Sequence, residues 1–180
     1  MTLQPADREA CELLIGDLPG EIFRDIRDNV APLEDLPILA RADKLAFVAD
    51  GLRLVDPEAR SAVPLSIRQL INRLTAAGLP DSRTNLGLVV TMWDLVAEDP
   101  EAERYWRKHE TALVEELRAI DQEAVHIRVA ARSDPPLDNL TELREWLLKP
   151  SRYANDPGLP PLENQSPMPS LRFPKRFAKP

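Results

Sequence analysis

The sequence predicts a three-layer α/β domain, with a mostly parallel sheet covered by helices on both faces. Short apolar runs at Glu12–Gly16, Lys44–Ala49 and Leu86–Thr91 have the length and composition of buried parallel strands. Amphipathic helical patterns separate them, the alternation that builds crossovers and a parallel sheet. A chain of 180 residues is long enough for one domain with a real core.

Along the chain, the first run ends at Asp17, and the Pro19-Gly20 pair then forces the backbone out of the strand. The segment Glu21–Leu39 reads as one or two irregular helices, broken at Pro32 and Pro37. The second strand, Lys44–Ala49, is followed by Asp50-Gly51, which fits a turn and equally a residue pair facing a ligand site. Pro57–Ala77 carries Val63, Ile67, Leu70, Ile71 and Leu74 near a 3.6-residue period. Pro64 suits the first turn of that helix and Gly78 its C-cap. The third strand, Leu86–Thr91, precedes a helix over Pro100–Ile120 with Ala102, Tyr105, Trp106, Leu113, Leu117 and Ile120 on one side. The charge run Glu98–Glu116 reads as its solvated face.

A fourth strand at Val125–Ala130 alternates apolar and polar residues, which predicts an edge strand with one wetter face. Asn139 is the expected N-cap of a short helix carrying Leu140, Leu143, Trp146 and Leu147. Residues 1–149 thus read as one partial domain, and residues 150–180, dense in proline, as an extended tail. The tail closes on basic residues with Phe173 and Phe177, compatible with a docking peptide and with an unstructured end.

Composition narrows the function. A net charge of −7 argues against broad binding to nucleic acid or anionic lipid. One cysteine, Cys11, excludes an internal disulfide and a multi-cysteine metal cage, and is expected to be a small apolar residue. The polar segment Met1–Glu12 carries no signal peptide, and no apolar run approaches the roughly 20 residues that span a bilayer. The expected location is cytoplasmic, with no membrane partner. His109 and His126 stand apart in sequence and are expected to have structural or surface roles. Trp106 and Trp146 fall on apolar helix faces and read as core, whereas Trp93 suits either packing or flanking a purine.

Such sheets bind ligands at the carboxyl ends of their strands, and Asp17, Asp50 and Asp94 each follow one of the first three strands. Asp17-Leu18-Pro19-Gly20 places an acid and then a glycine just beyond a strand. The acid suits magnesium held through a water, and the Gly20 amide suits a terminal phosphate that a side chain would obstruct. Thr91-Met92-Trp93-Asp94 ends the third strand, and Ala130-Ala131-Arg132 ends the fourth.

These three elements, in this order, resemble the D-x-x-G, [NT]-K-x-D and S-A-K sequences of translation-factor-class (TRAFAC) P-loop GTPases. Residues 10–148 resemble the C-terminal two-thirds of such a domain, most closely the bacterial double-GTPase domains of conflict systems. The resemblance implies that Asp94 accepts two hydrogen bonds from guanine, beside Thr91. It implies that a backbone amide of Ala130 or Ala131 meets the guanine O6. It also implies GTP or GDP with Mg²⁺ as ligands.

The chain departs from this pattern at instructive places. Met92 stands where the family has lysine, keeping an apolar stem but no charge. Glu21 stands where many small GTPases carry a water-positioning glutamine, and a carboxylate there would repel phosphate, so no catalytic residue is assigned. No G-x-x-x-x-G-K-[ST] occurs, so the amide cradle and the lysine for the β and γ phosphates are missing. In that fold, the strand feeding this loop lies between those corresponding to Glu12–Gly16 and Lys44–Ala49. Without it, the two strands pair directly, or a partner chain inserts the strand and the loop, or Met1 is internal to a longer gene.

The expected function is a guanine-nucleotide-binding, GTPase-like domain that is inactive alone and needs upstream sequence or a protein partner. Hydrolysis of GTP then depends on the supplied loop. The alternative is a pseudo-GTPase interaction module that binds no nucleotide. A phosphorylatable receiver-like domain is a weaker third reading, because no suitable lysine follows the fourth strand.

Overall fold

The computed structural model describes residues 42–80, 84–130 and 139–150, the pairs Thr2–Leu3 and Cys11–Glu12, and the single positions Arg24, Asp28 and Leu39. The ordered elements are β1 (Thr2–Leu3), β2 (Cys11–Glu12), β3 (Lys44–Asp50), α1 (Gly51–Val55) and α2 (Ala62–Ala76). They continue with β4 (Asn85–Thr91), α3 (Trp93–Glu98), α4 (Pro100–Ile120), β5 (Val125–Arg128) and α5 (Asn139–Leu148).

The main sheet is parallel, in the order β3-β4-β5. Strand β4 lies in the middle and is buried from Asn85 to Val90, as its continuous apolar run requires. Phe47, Ala49, Leu86, Leu88 and Val90 face a core built with α2, α4, Leu54, Trp93 and Val96. On the opposite face, Val89, Ile127 and Val129 pack with Trp146 of α5. Helices therefore cover both faces, which gives the three-layer α/β architecture expected from sequence. On that second face, β3 presents Val48, which is 56% exposed.

Expectation and structure differ at the N-terminal strand. Glu12–Gly16 was expected to run parallel in the main sheet. Of that run only Glu12 is described; it ends a two-residue strand, Cys11–Glu12, that pairs antiparallel with Thr2–Leu3 in a separate two-stranded sheet. A two-residue strand inside a polar segment gives no alternation, so β1 left no signal in the sequence. The remaining residues of that expected strand, the segment Glu21–Leu39 apart from three single positions, and the tail 150–180 beyond Pro150 lie outside the described residues.

The helices follow their predicted ends closely. Helix α2 begins two residues before Pro64 and stops where Gly78 turns left-handed, with φ of 74°. There the Leu79 amide donates to Leu74 O (2.8 Å) and the Gly78 amide to Thr75 O (3.0 Å), a Schellman ending. Helix α4 starts at Pro100. Asp99 caps it by accepting from the amides of Glu101 (2.9 Å) and Ala102 (3.1 Å), and these bonds hold its pKa below the usual carboxylate value. Arg60 ties α1 to this cap, donating to Leu54 O at 2.7 Å and pairing with Asp99 at 3.5 Å. Among the described residues no helix is long and apolar enough to cross a membrane.

Candidate functional site

The carboxyl ends of β3, β4 and β5 form one rim, and local chemistry fixes the chain there. Asp50 ends β3 and caps α1 directly, its carboxylate accepting from the Leu52 amide at 3.0 Å. Gly51 lies so close to the next segment that an added Cβ would meet Thr91 O at 2.1 Å and Met92 O at 2.7 Å. Asp50-Gly51 is therefore a strand-to-helix junction wedged against the end of β4.

Thr91 is the last residue of β4, and its hydroxyl reaches towards Ala49 O at 3.4 Å. Met92 then adopts a left-handed backbone, φ 49°, the only non-glycine residue with positive φ among those described. The residue is 45% exposed. Helix α3 follows at once, with Asp94, half-buried, in its first turn. A six-residue helix is too short to reveal itself by periodicity, which is why it was not foreseen.

The turn at Met92 is stitched to β5. The Val129 amide donates to Val90 O at 2.7 Å, and the Trp93 amide donates to Val129 O at 2.9 Å. These bonds bring Thr91-Met92-Trp93-Asp94 alongside Val129 and the buried Ala130. Of the residues singled out from sequence, Thr91, Asp94 and Ala130 thus share one rim. Asp17, Gly20 and Ala131 lie outside the described residues. Among the described residues, no group of three or more His, Cys, Asp or Glu side chains is placed to hold a metal ion. The proposed magnesium residue, Asp17, is not among them.

Behind the rim lies a polar cluster that sequence reasoning missed. Glu110 sits in the buried stripe of α4, between Trp106 and Leu113. Arg128 of β5 donates to it through Nε (3.1 Å to Oε1) and Nη2 (2.8 Å to Oε1, 2.7 Å to Oε2). The Trp106 indole donates to Oε1 at 2.9 Å. His126 Nε2 lies 2.9 Å from the same oxygen, a close contact without the alignment of a hydrogen bond. Burial by itself would raise the Glu110 pKa. His126 and Arg128 outweigh burial and hold it down at about 2.

The Arg128 guanidinium also stacks on Trp93, 4.2 Å from the ring centroid. Trp93 is only 8% exposed and packs in the core. The alternation of His126 and Arg128, read as a wet strand face, instead meets the carboxylate of Glu110. One signal for this existed: a glutamate in the middle of an apolar stripe needs buried partners.

Fold and rim define a GTPase-like α/β domain. The family model for Double-GTPase 2 matches residues 1–147, and the chain belongs to that family. Neither the curated proteins nor the solved structures contain a match.

Proposed function

We propose that this chain is a guanine-nucleotide-binding domain whose phosphate grip is supplied from outside these 180 residues. Upstream sequence or a protein partner would provide it. In this reading Asp94 accepts from guanine beside Thr91, an amide of Ala130 or Ala131 meets the guanine O6, and Gly20 faces the γ phosphate. Asp17 would hold magnesium through a water, and that ion would supply charge neutralisation for the phosphates. Hydrolysis follows only when the missing loop is present, and the expected setting is bacterial and cytoplasmic.

One observation carries the reading. The Trp93–Val129 backbone bond couples the segment ending β4 to the segment ending β5, the two that a guanine base would have to touch together. The test is calorimetry with a non-hydrolysable GTP analogue and magnesium on this chain alone. No binding is expected, since nothing in the sequence replaces the lysine and amide cradle. Micromolar affinity would overturn the account of the phosphate grip. A G-x-x-x-x-G-K-[ST] read in frame upstream of the Met1 codon would identify the supplier as the same gene.

A second reading, an interaction module that binds no nucleotide, draws support from Met92 at the lysine position and from β3. That strand pairs only with β4 among the described residues, and Val48 and Leu52 are 56% and 55% exposed. A polypeptide extended to include a phosphate loop separates the two readings. Magnesium-dependent GDP binding that is lost in Asp94→Asn supports the first, and its absence supports the second.

A further inference from the structure

We propose that Arg128 is a positioning residue for the Trp93–Asp94 turn, fixing where Asp94 points by clamping the ring of its neighbour. The inference rests on the guanine-site reading for its purpose, but its geometry stands independently. Trp93 is held at two points. Its amide is bonded to Val129 O (2.9 Å), and its indole lies under the Arg128 guanidinium (4.2 Å). Arg128 in turn is locked by three hydrogen bonds to Glu110 at 2.7–3.1 Å, and Glu110 is anchored by Trp106. The result is a rigid chain from the core of α4 to the residue before Asp94.

The turn needs such a clamp. Met92 sits at φ 49°, a left-handed conformation that disfavours a non-glycine residue and persists only where the surroundings enforce it. A carboxylate that accepts two parallel hydrogen bonds must be aimed within about 0.5 Å and 10–20°. Asp94 follows the clamped residue directly, so freedom in Trp93 becomes error in its aim. Lysine would not serve at position 128, because only a planar guanidinium stacks on indole and forks onto a carboxylate together.

The experiment is amide hydrogen exchange by NMR on the full chain, comparing the native protein with Arg128→Lys and Trp93→Leu. Lys keeps a cation beside Glu110, so Arg128→Lys is expected to fold. Trp93→Leu removes the ring and leaves the Arg128–Glu110 pair in place. In each variant the amides of residue 93 and Leu95 are expected to exchange about tenfold faster relative to Leu88 and Val90 of β4. The Trp93 indole resonance is expected to shift in Arg128→Lys. Native-like relative protection at residue 93 and Leu95 in both variants would overturn the proposal, as would an unmoved indole resonance. These readouts require no nucleotide, so they judge the clamp separately from the calorimetry that judges the guanine reading.

Discussion

Glu110 occupies the middle of a helix stripe otherwise made of Ala102, Trp106, Leu113 and Leu117. A lone carboxylate there would be unfavourable, and its partners on β5 and α4 make it a net tie between layers. Removing one side of such a pair leaves the other charge buried. Glu110→Ala is expected to lower stability by about 3–5 kcal/mol in urea unfolding. The pH dependence has a definite sign. The folded-state pKa, about 2, lies below the ordinary glutamate value of 4.5. The contribution is therefore fully present above 4.5 and is lost as pH falls from there through about 2. Urea midpoints measured across this range are expected to fall more steeply for the native protein than for Glu110→Gln. Asp121 is a second buried acid, 5% exposed, and its carboxylate accepts from the Leu86 amide at 2.9 Å at the start of β4. Asp121→Ala strands that buried amide and is expected to cost about 1–3 kcal/mol, read in the same unfolding assay.

Two glycines set distances between elements. At Gly51 there is no room for a methyl group, because Thr91 O and Met92 O already fill that space. Gly51→Ala must push α1 away from the end of β4. It is expected to cost about 3 kcal/mol or more, with chemical-shift changes centred on residues 91–95. Gly87 lets α5 settle on β4: a Cβ there would meet the Trp146 ring at 3.0 Å. Gly87→Val is expected to dislodge α5, seen by NMR as a shifted Trp146 indole resonance and faster amide exchange in α5. Element by element, the sequence was legible wherever a pattern ran long enough to repeat. Helix α4 begins and ends at the predicted residues, and β4 shows its burial as an unbroken apolar run. What escaped was short or indirect. Two-residue β1 and six-residue α3 are too short to repeat a period, and the polar face of β5 was assigned to water because its partner lies on another element.

At the level of the whole molecule, the layers differ in how well they are enclosed. Strand β4 has a paired neighbour on each side and helices above and below, whereas β3 leaves Val48 open. Native-state hydrogen exchange is therefore expected to find its slowest amides in β4, with β3 and β5 opening at lower free energy. Protection in β3 equal to that of β4 would mean that a further segment closes the β3 edge. The candidate site was only partly legible at this scale. Order along the chain pointed to Thr91, Asp94 and Ala130, which the fold gathers at one rim. The Glu110–Arg128–Trp93 support behind them was invisible because its members come from three elements, which only the fold brings together.

The shared carboxylate carries one more consequence, for heredity. A single oxygen of Glu110 serves Trp106, His126 and Arg128 at once. Drift at Glu110 strands the other three, so homologous lineages that abandon this carboxylate should change Arg128, His126 and Trp106 along with it.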